Sequence, residues 1–264
     1  MRNILLAAFV SLAFPVQAET LHHGLDAYEA GDFETAYEHL RPHAEGGNPL
    51  AQSLLGMMFY EGRGVGQDYA QAAYWMLQAA EQDESHSGLL GMMYYLGQGV
   101  AQDYERAARW SRYPAENGDG VAQYILGSLY LHGEGVTQDH AEAAHWLLLA
   151  GENGVAEAQE ALGRLYFHGE GVEQDYRQAA HWFILAARNG IEGAQFSLAA
   201  LHRHGWGVPQ DFNTAHMWAN LASMSGNSAA MEMRGILEGL MTPAAIIEAQ
   251  QRAQECLASN FEEC

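Results

Sequence analysis

The sequence has 264 residues, and 48% of them are hydrophobic, which is typical of a folded protein and excludes a disordered chain. Acidic residues number 33 and basic ones 12, all arginine, so the net charge is −21. A surface this acidic repels phosphate backbones and anionic lipid headgroups, which argues against nucleic acid and membrane surfaces as partners. Adaptation to a salty habitat would produce the same charge and carries no information about ligands.

The first eighteen residues predict a secretory signal peptide. Arg2 precedes the apolar run 4–14, and residues 16–18 (VQA) resemble a cleavage site. We expect cleavage after Ala18 and a periplasmic or secreted product. An uncleaved anchor is the alternative, but about eleven apolar residues fall short of the ~20 that a helix needs to cross a bilayer. No later stretch is apolar enough to span, so we expect no membrane insertion after cleavage.

Residues 19–47 predict an N-terminal capping pair of helices. The segment 24–46 (GLDAYEAGDFETAYEHLRPHAEG) reads as a helix, a Gly-Asp turn and a second helix, and it resembles a tetratricopeptide unit. A terminal pair of this kind is what a stack of repeats requires at its end.

Five copies of a roughly 36-residue unit fill residues 48–226. Tryptophans mark the register at Trp75, Trp110, Trp146, Trp182 and Trp218, with spacings of 35, 36, 36 and 36. A Gly-x-Gly-Val segment and an aspartate keep the same register in every copy. The predicted repeats are 48–83, 84–118, 119–154, 155–190 and 191–226.

Each repeat predicts two helices. In the third copy the apolar residues Ala122, Leu126 and Leu129 lie on one face of the first helix. Gly127, on the same helix, lets a partner helix approach closely. The Gly-x-Gly segment ends the first helix, since glycine accepts the left-handed geometry of a C-terminal cap.

The second helix is predicted to begin at the aspartate, as an N-cap, and to end at Asn-Gly. The N-caps are Asp68, Asp103, Asp139, Asp175 and Asp211. In three copies Gln71, Glu142 or Gln178 stands three residues later, as in a capping box. These repeating acids are therefore interpreted as structural.

One helix pair cannot bury its apolar face alone, so the units are expected to stack into an all-α, α/α superhelical solenoid. Residues 227–264 predict C-terminal capping helices and a tail: one helix over 227–240, and another that starts at Thr242-Pro243. We expect seven helix pairs in one continuous domain.

The two cysteines, Cys256 and Cys264, lie near the C-terminus. In an oxidising compartment they predict a local disulfide that ties the tail to the last helix. A redox role is the alternative, but the sequence contains no Cys-x-x-Cys.

The pattern Ala-x-x-x-Leu-Gly-x-x-Tyr-x-x-Gly-x-Gly-Val-x-x-Asp-x-x-x-Ala-Ala-x-Trp resembles that of the Sel1-like repeat family, whose members are relatives of tetratricopeptide repeat proteins. The resemblance covers about residues 48–226. It implies a scaffold or adaptor, such as family members that act in signalling, secretion and envelope assembly. A cysteine-rich branch is described as binding or hydrolysing β-lactams, and that branch has a cysteine pair in each repeat.

A search for chemistry finds neither Ser-x-x-Lys nor Gly-x-Ser-x-Gly, and the sequence contains no lysine. His132, His168 and His204 occupy the same position in successive repeats. Because helices pack about 8–10 Å apart and zinc needs its ligands at ~2.1 Å, the three histidines cannot bind one zinc ion together. Two of them could hold a metal with Glu134 or Glu170. The prediction is that no cofactor is bound. A hydrolase acting on β-lactams or cell-wall peptides remains the alternative function.

Recognition is expected at positions that vary between repeats. We call one set on the first helices the variable stripe: Ser53/Met57/Tyr60, Gly88/Met92/Tyr95, Tyr124/Ser128/Leu131, Glu160/Arg164/Phe167 and Phe196/Ala200/Arg203. First helices line the concave side of such solenoids, so the stripe is predicted to bind a protein or peptide partner in a groove. The candidate contact residues are Met57, Tyr60, Met92, Tyr95, Tyr124, Leu131, Arg164, Phe167 and Arg203. Alternatively Tyr60, Tyr95, Leu131 and Phe167 pack against the next repeat.

Overall fold

A computed structural model describes residues 20–224, 226–261 and 264, and within them the chain forms fourteen α-helices, one 3₁₀ turn and no strand. In chain order these are α1 (20–30), α2 (Phe33–Glu45), α3 (Pro49–Glu61), α4 (Tyr69–Ala80), the 3₁₀ turn (Glu84–His86), α5 (Gly88–Leu96), α6 (Tyr104–Glu116), α7 (Gly120–His132), α8 (His140–Glu152), α9 (Ala156–His168), α10 (Tyr176–Arg188), α11 (Glu192–His204), α12 (Phe212–Ser223), α13 (Ser228–Glu238) and α14 (Pro243–Ala258). The all-α class is confirmed. The predicted signal peptide lies outside the described residues.

The helices fall into two compact units, which we call unit 1 (up to Asn117) and unit 2 (from Gly118). Unit 1 holds α1–α6 and unit 2 holds α7–α14. In both units the first helix of each repeat (α3, α5, α7, α9, α11) packs most extensively against the second helix of the same repeat (α4, α6, α8, α10, α12). The helix hairpin predicted for each repeat is therefore confirmed.

The repeating aspartates cap the second helices. Asp139, for example, accepts hydrogen bonds from the backbone N–H groups of Ala141 and Glu142. All five second helices begin at such an aspartate, although Asp103 accepts from a single N–H, that of Arg106. In a capping box, the side chain three residues later also accepts a hydrogen bond from the N–H of the N-cap residue, and this part of the prediction is wrong at Asp139. The N–H of Asp139 donates instead to the carbonyl oxygen of Tyr130 at 3.0 Å. Because this donor already joins the loop to the first helix, the residue three positions later contributes only its backbone to the cap.

Glycines inside the first helices allow close packing, as predicted. A Cβ added to Gly127 would lie 2.7 Å from Cγ of Leu147, and one added to Gly56 would lie 2.7 Å from Cγ of Met76. Any larger side chain would push the two helices of the hairpin apart. The core between them consists mainly of fully buried alanine and leucine, with the tryptophans Trp146, Trp182 and Trp218 nearly buried.

A buried glutamine on the first helices connects successive repeats. The side-chain amide of Gln159 in α9 donates to the carbonyl oxygen of Gly151 at the end of α8, and Gln52 and Gln195 make the equivalent bonds. Carbonyl groups in the last turn of a helix have no partner within the helix. These amides therefore join the end of one hairpin to the start of the next.

The last two helices depart from the predicted seventh pair, because both α13 and α14 pack against α12. Small residues of α14, Ala249 and Ala253, are fully buried, and Ala253 joins the core that contains Trp218. Cys256 is also buried there and forms a disulfide with Cys264, with the Cα atoms 4.9 Å apart. The predicted local disulfide is confirmed.

No helix in the described part of the chain is both long and apolar enough to cross a membrane. This finding and the disulfide are compatible with an exported protein.

Candidate functional site: cavities beside the first helices

The variable stripe is partly accessible along the first helices. Met57 is 37% exposed and Arg164 is exposed, whereas Ser53 and Ser128 are buried and the other members are half-buried. The repeating residues, by contrast, form caps, turns and packing contacts. The stripe is thus the surface whose chemistry changes from repeat to repeat.

In unit 1 the stripe borders a cavity of about 310 Å³. Its wall is mainly apolar and comes from α3, α4, the 3₁₀ turn and the start of α5. The lining residues are Ser53, Met57, Tyr60, Glu61, Met76, Ser85, His86, Gly88 and Leu89. Ligand pockets for drug-sized molecules occupy about 300–1,000 Å³, so this cavity lies at the small end of that range.

The cavity opens where one helical turn is missing. The helices α3, α7, α9 and α11 have 13 residues each, whereas α5 has nine and begins only at Gly88. The preceding residues form the 3₁₀ turn, capped by the side chain of Asp83. This is the repeat boundary at which the tryptophan spacing is 35 and not 36. We infer that the deleted residue shortens α5 and leaves space beside Met57.

The remaining unit 1 candidates have structural contacts as well. The hydroxyl of Tyr60 donates to Oε1 of Gln98 at 3.0 Å, and burial raises the pKa of Tyr60. Its ring lies 5.2 Å from that of Tyr69, and Tyr95 makes the equivalent contact with Tyr104 at 5.8 Å. Met92 is half-buried on α5. The rings of both tyrosines therefore pack within their own repeat, and the hydroxyl of Tyr60 also joins it to the next repeat.

Unit 2 has a second cavity, of about 260 Å³, which lies between α7 and α9. Three candidates from the stripe, Tyr124, Leu131 and Arg164, line it. The other lining residues are Ser128, His132, Leu147, Glu157, Glu160, Ala161, Leu165, His168 and Glu170. Apolar side chains and ionisable ones thus face the same space.

Glu160 is the most unusual ionisable residue of this lining. Burial raises the pKa of its carboxyl group; attraction to Arg164 acts in the opposite direction but is weaker. Among the described residues, no side chain comes within ion-pair or hydrogen-bond distance of this carboxylate. A Cβ added to Gly193 of α11 would overlap Oε1 of Glu160, so the next repeat holds the carboxylate in place.

Replacement of Glu160 by glutamine is expected to stabilise the free protein at neutral pH. A raised pKa means that the ionised form is disfavoured in the folded state, so wild-type stability falls as pH rises through that pKa. Because Glu160 is only half-buried, solvent screens its charge and the penalty is no more than a fraction of a kcal/mol. In a chain of this size that corresponds to a rise in Tm of about 1–2 °C for Glu160→Gln at pH 7. Thermal unfolding followed by circular dichroism measures it.

The difference should shrink as pH is lowered toward about 4.3, the ordinary value for glutamate, because the wild-type carboxyl then becomes neutral too. Glu248→Gln, at an exposed position in the middle of α14, removes the same charge and should leave the Tm nearly unchanged. A lower Tm for Glu160→Gln at pH 7 would contradict the interpretation, since the carboxylate would then stabilise the fold.

The last two candidates contact the following helices. Phe167 packs edge to face on Tyr176, with ring centres 5.3 Å apart, and also contacts Trp206. Arg203 directs Nη1 to Sδ of Met233 in α13 at 3.3 Å. These two side chains therefore join adjacent elements and line neither of the two cavities described above.

Several cavity residues were not among the sequence candidates. Glu157 lies one turn before Glu160 on α9, whereas His168 and His132 directly follow the stripe residues Phe167 and Leu131. Extending the spacing of the stripe backward by three residues would have identified Glu157 but neither histidine. His132 and His168, considered above as possible metal ligands, both line the unit 2 cavity. Among the described residues, no group of three His, Cys, Asp or Glu side chains could hold a metal ion.

Comparison with protein families gives a match over most of the chain. The family model described as Sel1 repeat matches five segments, residues 49–84, 89–119, 120–155, 156–191 and 193–227. No curated protein sequence matches at a significant level.

Two solved structures are similar to this chain. A Sel1 repeat protein from Oxalobacter formigenes is 30% identical, with a TM-score of 0.69; the match covers 89% of this chain and 96% of that one. A protective antigen of uropathogenic Escherichia coli strains, which displays an SLR fold, is 32% identical, with a TM-score of 0.71. That match covers 93% of this chain and 55% of the antigen, so this chain spans about half of the antigen's length.

Proposed function

This chain belongs to the Sel1 repeat family, and on that premise we propose that it is a non-enzymatic scaffold that binds a protein or peptide partner along the variable stripe. Sel1 repeats generally bind proteins, and the family generally acts as a scaffold without catalysis. The proposed site of action is the periplasm, and the proposed role is in envelope regulation or signalling.

One observation carries the proposal: in each unit, residues of the variable stripe line a cavity. Residues that repeat are used by the fold, in the way that Asp139 caps α8 and Gly127 admits Leu147. What distinguishes this protein from another array of the same repeats is therefore the stripe and the cavities beside it. Methionine and tyrosine at such positions suit contacts with an adaptable apolar surface.

The periplasmic location is supported by two features. The disulfide between Cys256 and Cys264 needs a compartment in which thiols become oxidised, and the first eighteen residues have the pattern of a secretory signal. A partner in that compartment would be an envelope protein, such as the outer domain of a sensor or an assembly factor.

A double substitution in unit 1 tests the binding surface. Phage-displayed random dodecapeptides are selected on the wild-type protein, and the affinities of synthetic copies are then measured. Met57→Glu with Met92→Glu is expected to weaken the selected peptides by about tenfold or more, since each change puts a charge on the apolar contact surface and 1.4 kcal/mol corresponds to a factor of ten. Circular dichroism should show unchanged helix content.

Tyr74→Glu is the matched control. Tyr74 is 53% exposed but lies on the second helix α4, away from the stripe. It should leave peptide affinity unchanged. Equal binding by the double variant and the wild type would exclude the unit 1 stripe as the binding surface. Turnover of nitrocefin or peptidoglycan, abolished by one point substitution in the purified protein, would contradict the scaffold assignment itself.

A further inference from the structure

The unit 2 cavity has the dimensions of a site for one long side chain. Its volume of about 260 Å³ lies below the range of about 300–1,000 Å³ that is usual for drug-sized ligands. It is bounded by α7 on one side and α9 on the other, so an extended peptide crossing these helices could insert a side chain there. A cofactor-sized molecule would not be enclosed.

The walls of this cavity favour an aliphatic stem. Leu131 and the ring of Tyr124 contribute accessible apolar surface, and the buried side chains of Leu147 and Leu165 also border the cavity. Lysine and arginine bury their methylene groups along apolar surface of this kind and keep the charged group at its edge. A purely apolar side chain would fit the walls as well, so the charges of the lining decide between the two.

The charges favour a cation. Three carboxylates, those of Glu157, Glu160 and Glu170, face the cavity together with a single arginine, Arg164, and two histidines. Glu170 has a partner, since one of its carboxylate oxygens lies 3.8 Å from Nδ1 of His140, but Glu160 has no ion-pair partner among the described residues. A half-buried carboxylate without a partner is unfavourable in the free protein, and a cationic guest would remove that penalty.

The net charge of the whole chain also favours a cationic occupant. With 33 acidic and 12 basic residues, the protein attracts cationic segments at long range and repels acidic ones. An anion held by Arg164 would have to sit beside the fixed carboxylate of Glu160. Charge complementarity therefore selects a basic occupant over an acidic or a neutral one.

We propose that the cavity between α7 and α9 receives a lysine or arginine side chain of the partner, with its charged group beside Glu160. The bound segment is then a cationic peptide in which an apolar residue neighbours the basic one. This assignment rests on the proposed function, because it specifies the chemistry of the partner that the stripe binds.

Three synthetic tripeptides test the assignment: acetyl-Leu-Arg-Leu-amide, the same peptide with citrulline, and the same peptide with glutamate. Citrulline has nearly the shape of arginine but no charge. Binding to the full-length protein is followed through the methyl signals of leucines in a ¹³C-labelled sample. Leu131, Leu147 and Leu165 report on the cavity, and Leu237, buried elsewhere in unit 2, is the internal control.

The arginine peptide is expected to shift the three cavity signals saturably and to bind about tenfold more tightly than the citrulline peptide at low salt. Glu160→Gln should abolish most of that preference, and Glu248→Gln should retain it. The preference should also fall between 10 and 150 mM salt, because the screening length drops from about 30 Å to about 8 Å.

The contrary outcomes are distinct. If the arginine and citrulline peptides bind equally at the cavity, the basic occupant is wrong while peptide binding on the stripe stands. The same holds if the glutamate peptide binds most tightly, or if Glu160→Gln keeps the preference. If no peptide shifts the cavity signals, the cavity is not the site, and the proposed function then depends on the result for Met57 and Met92.

Discussion

Replacement of Gly171 by alanine is expected to lower the free energy of unfolding of unit 2 by about 3 kcal/mol. Gly171 is the second glycine of the Gly-x-Gly segment in the fourth repeat and has a φ of +71°, which is unfavourable for alanine. An added Cβ would also overlap the carbonyl oxygen of His140 at the start of α8, in the preceding repeat. Because that atom belongs to the backbone, the repeats themselves would have to separate.

The matched control is Gly154→Ala in the same unit. Gly154 has a φ of +84°, but a Cβ there would meet no atom within 4 Å. Gly154→Ala is therefore expected to lower the free energy of unfolding only by the conformational cost, about 1 kcal/mol. Urea unfolding measured by circular dichroism and by tryptophan fluorescence gives both values, and agreement of the two probes checks for a single transition. Equal losses at the two sites would show that the contact between repeats contributes nothing.

The positions of helices in this protein could be predicted from sequence because their signals are local. Asp139 caps α8 by accepting from the N–H groups two and three residues later, and Gly133 ends α7 through its own left-handed backbone. Neither the N-cap nor the C-cap depends on residues that are distant in the sequence. Each of these signals occurs in five repeats, which removes the ambiguity that a single occurrence would have.

The cavities could not be predicted in the same way, because they depend on residues that are far apart in the chain. The first tryptophan spacing is one residue shorter than the others, but only the structure shows that α5 starts late and that His86 and Leu89 line a cavity with Met57. Similarly, Phe167 and Arg203 have the spacing of the stripe, yet Trp206 and Met233 engage them. What a stripe residue contacts is decided by the identity of its neighbour in the next element.

The sizes of facing core side chains also compensate for one another within a repeat, as the pair Gly163 and Phe183 shows. A Cβ on Gly163 would lie 2.7 Å from two carbons of the Phe183 ring. The fifth repeat has Ala199 and Ala219 at the same two positions, and both are fully buried in one core. A larger residue on the first helix thus accompanies a smaller one on the second, as constant packing density requires.

A double-mutant cycle should reveal this compensation. Phe183→Ala alone is expected to cost about 3–5 kcal/mol, because it leaves a cavity in the core. Gly163→Ala alone should cost about 1–3 kcal/mol through overpacking. The control is Gly235→Ala, where open space around a helical glycine allows a gain of up to about 1 kcal/mol. The double variant with Phe183→Ala and Gly163→Ala should cost about 1–2 kcal/mol less than the sum of the two single changes, because the added methyl group occupies the space that the ring vacates. Urea unfolding of the four proteins measures the coupling, and strict additivity would mean that the two helices do not adjust their packing at this contact.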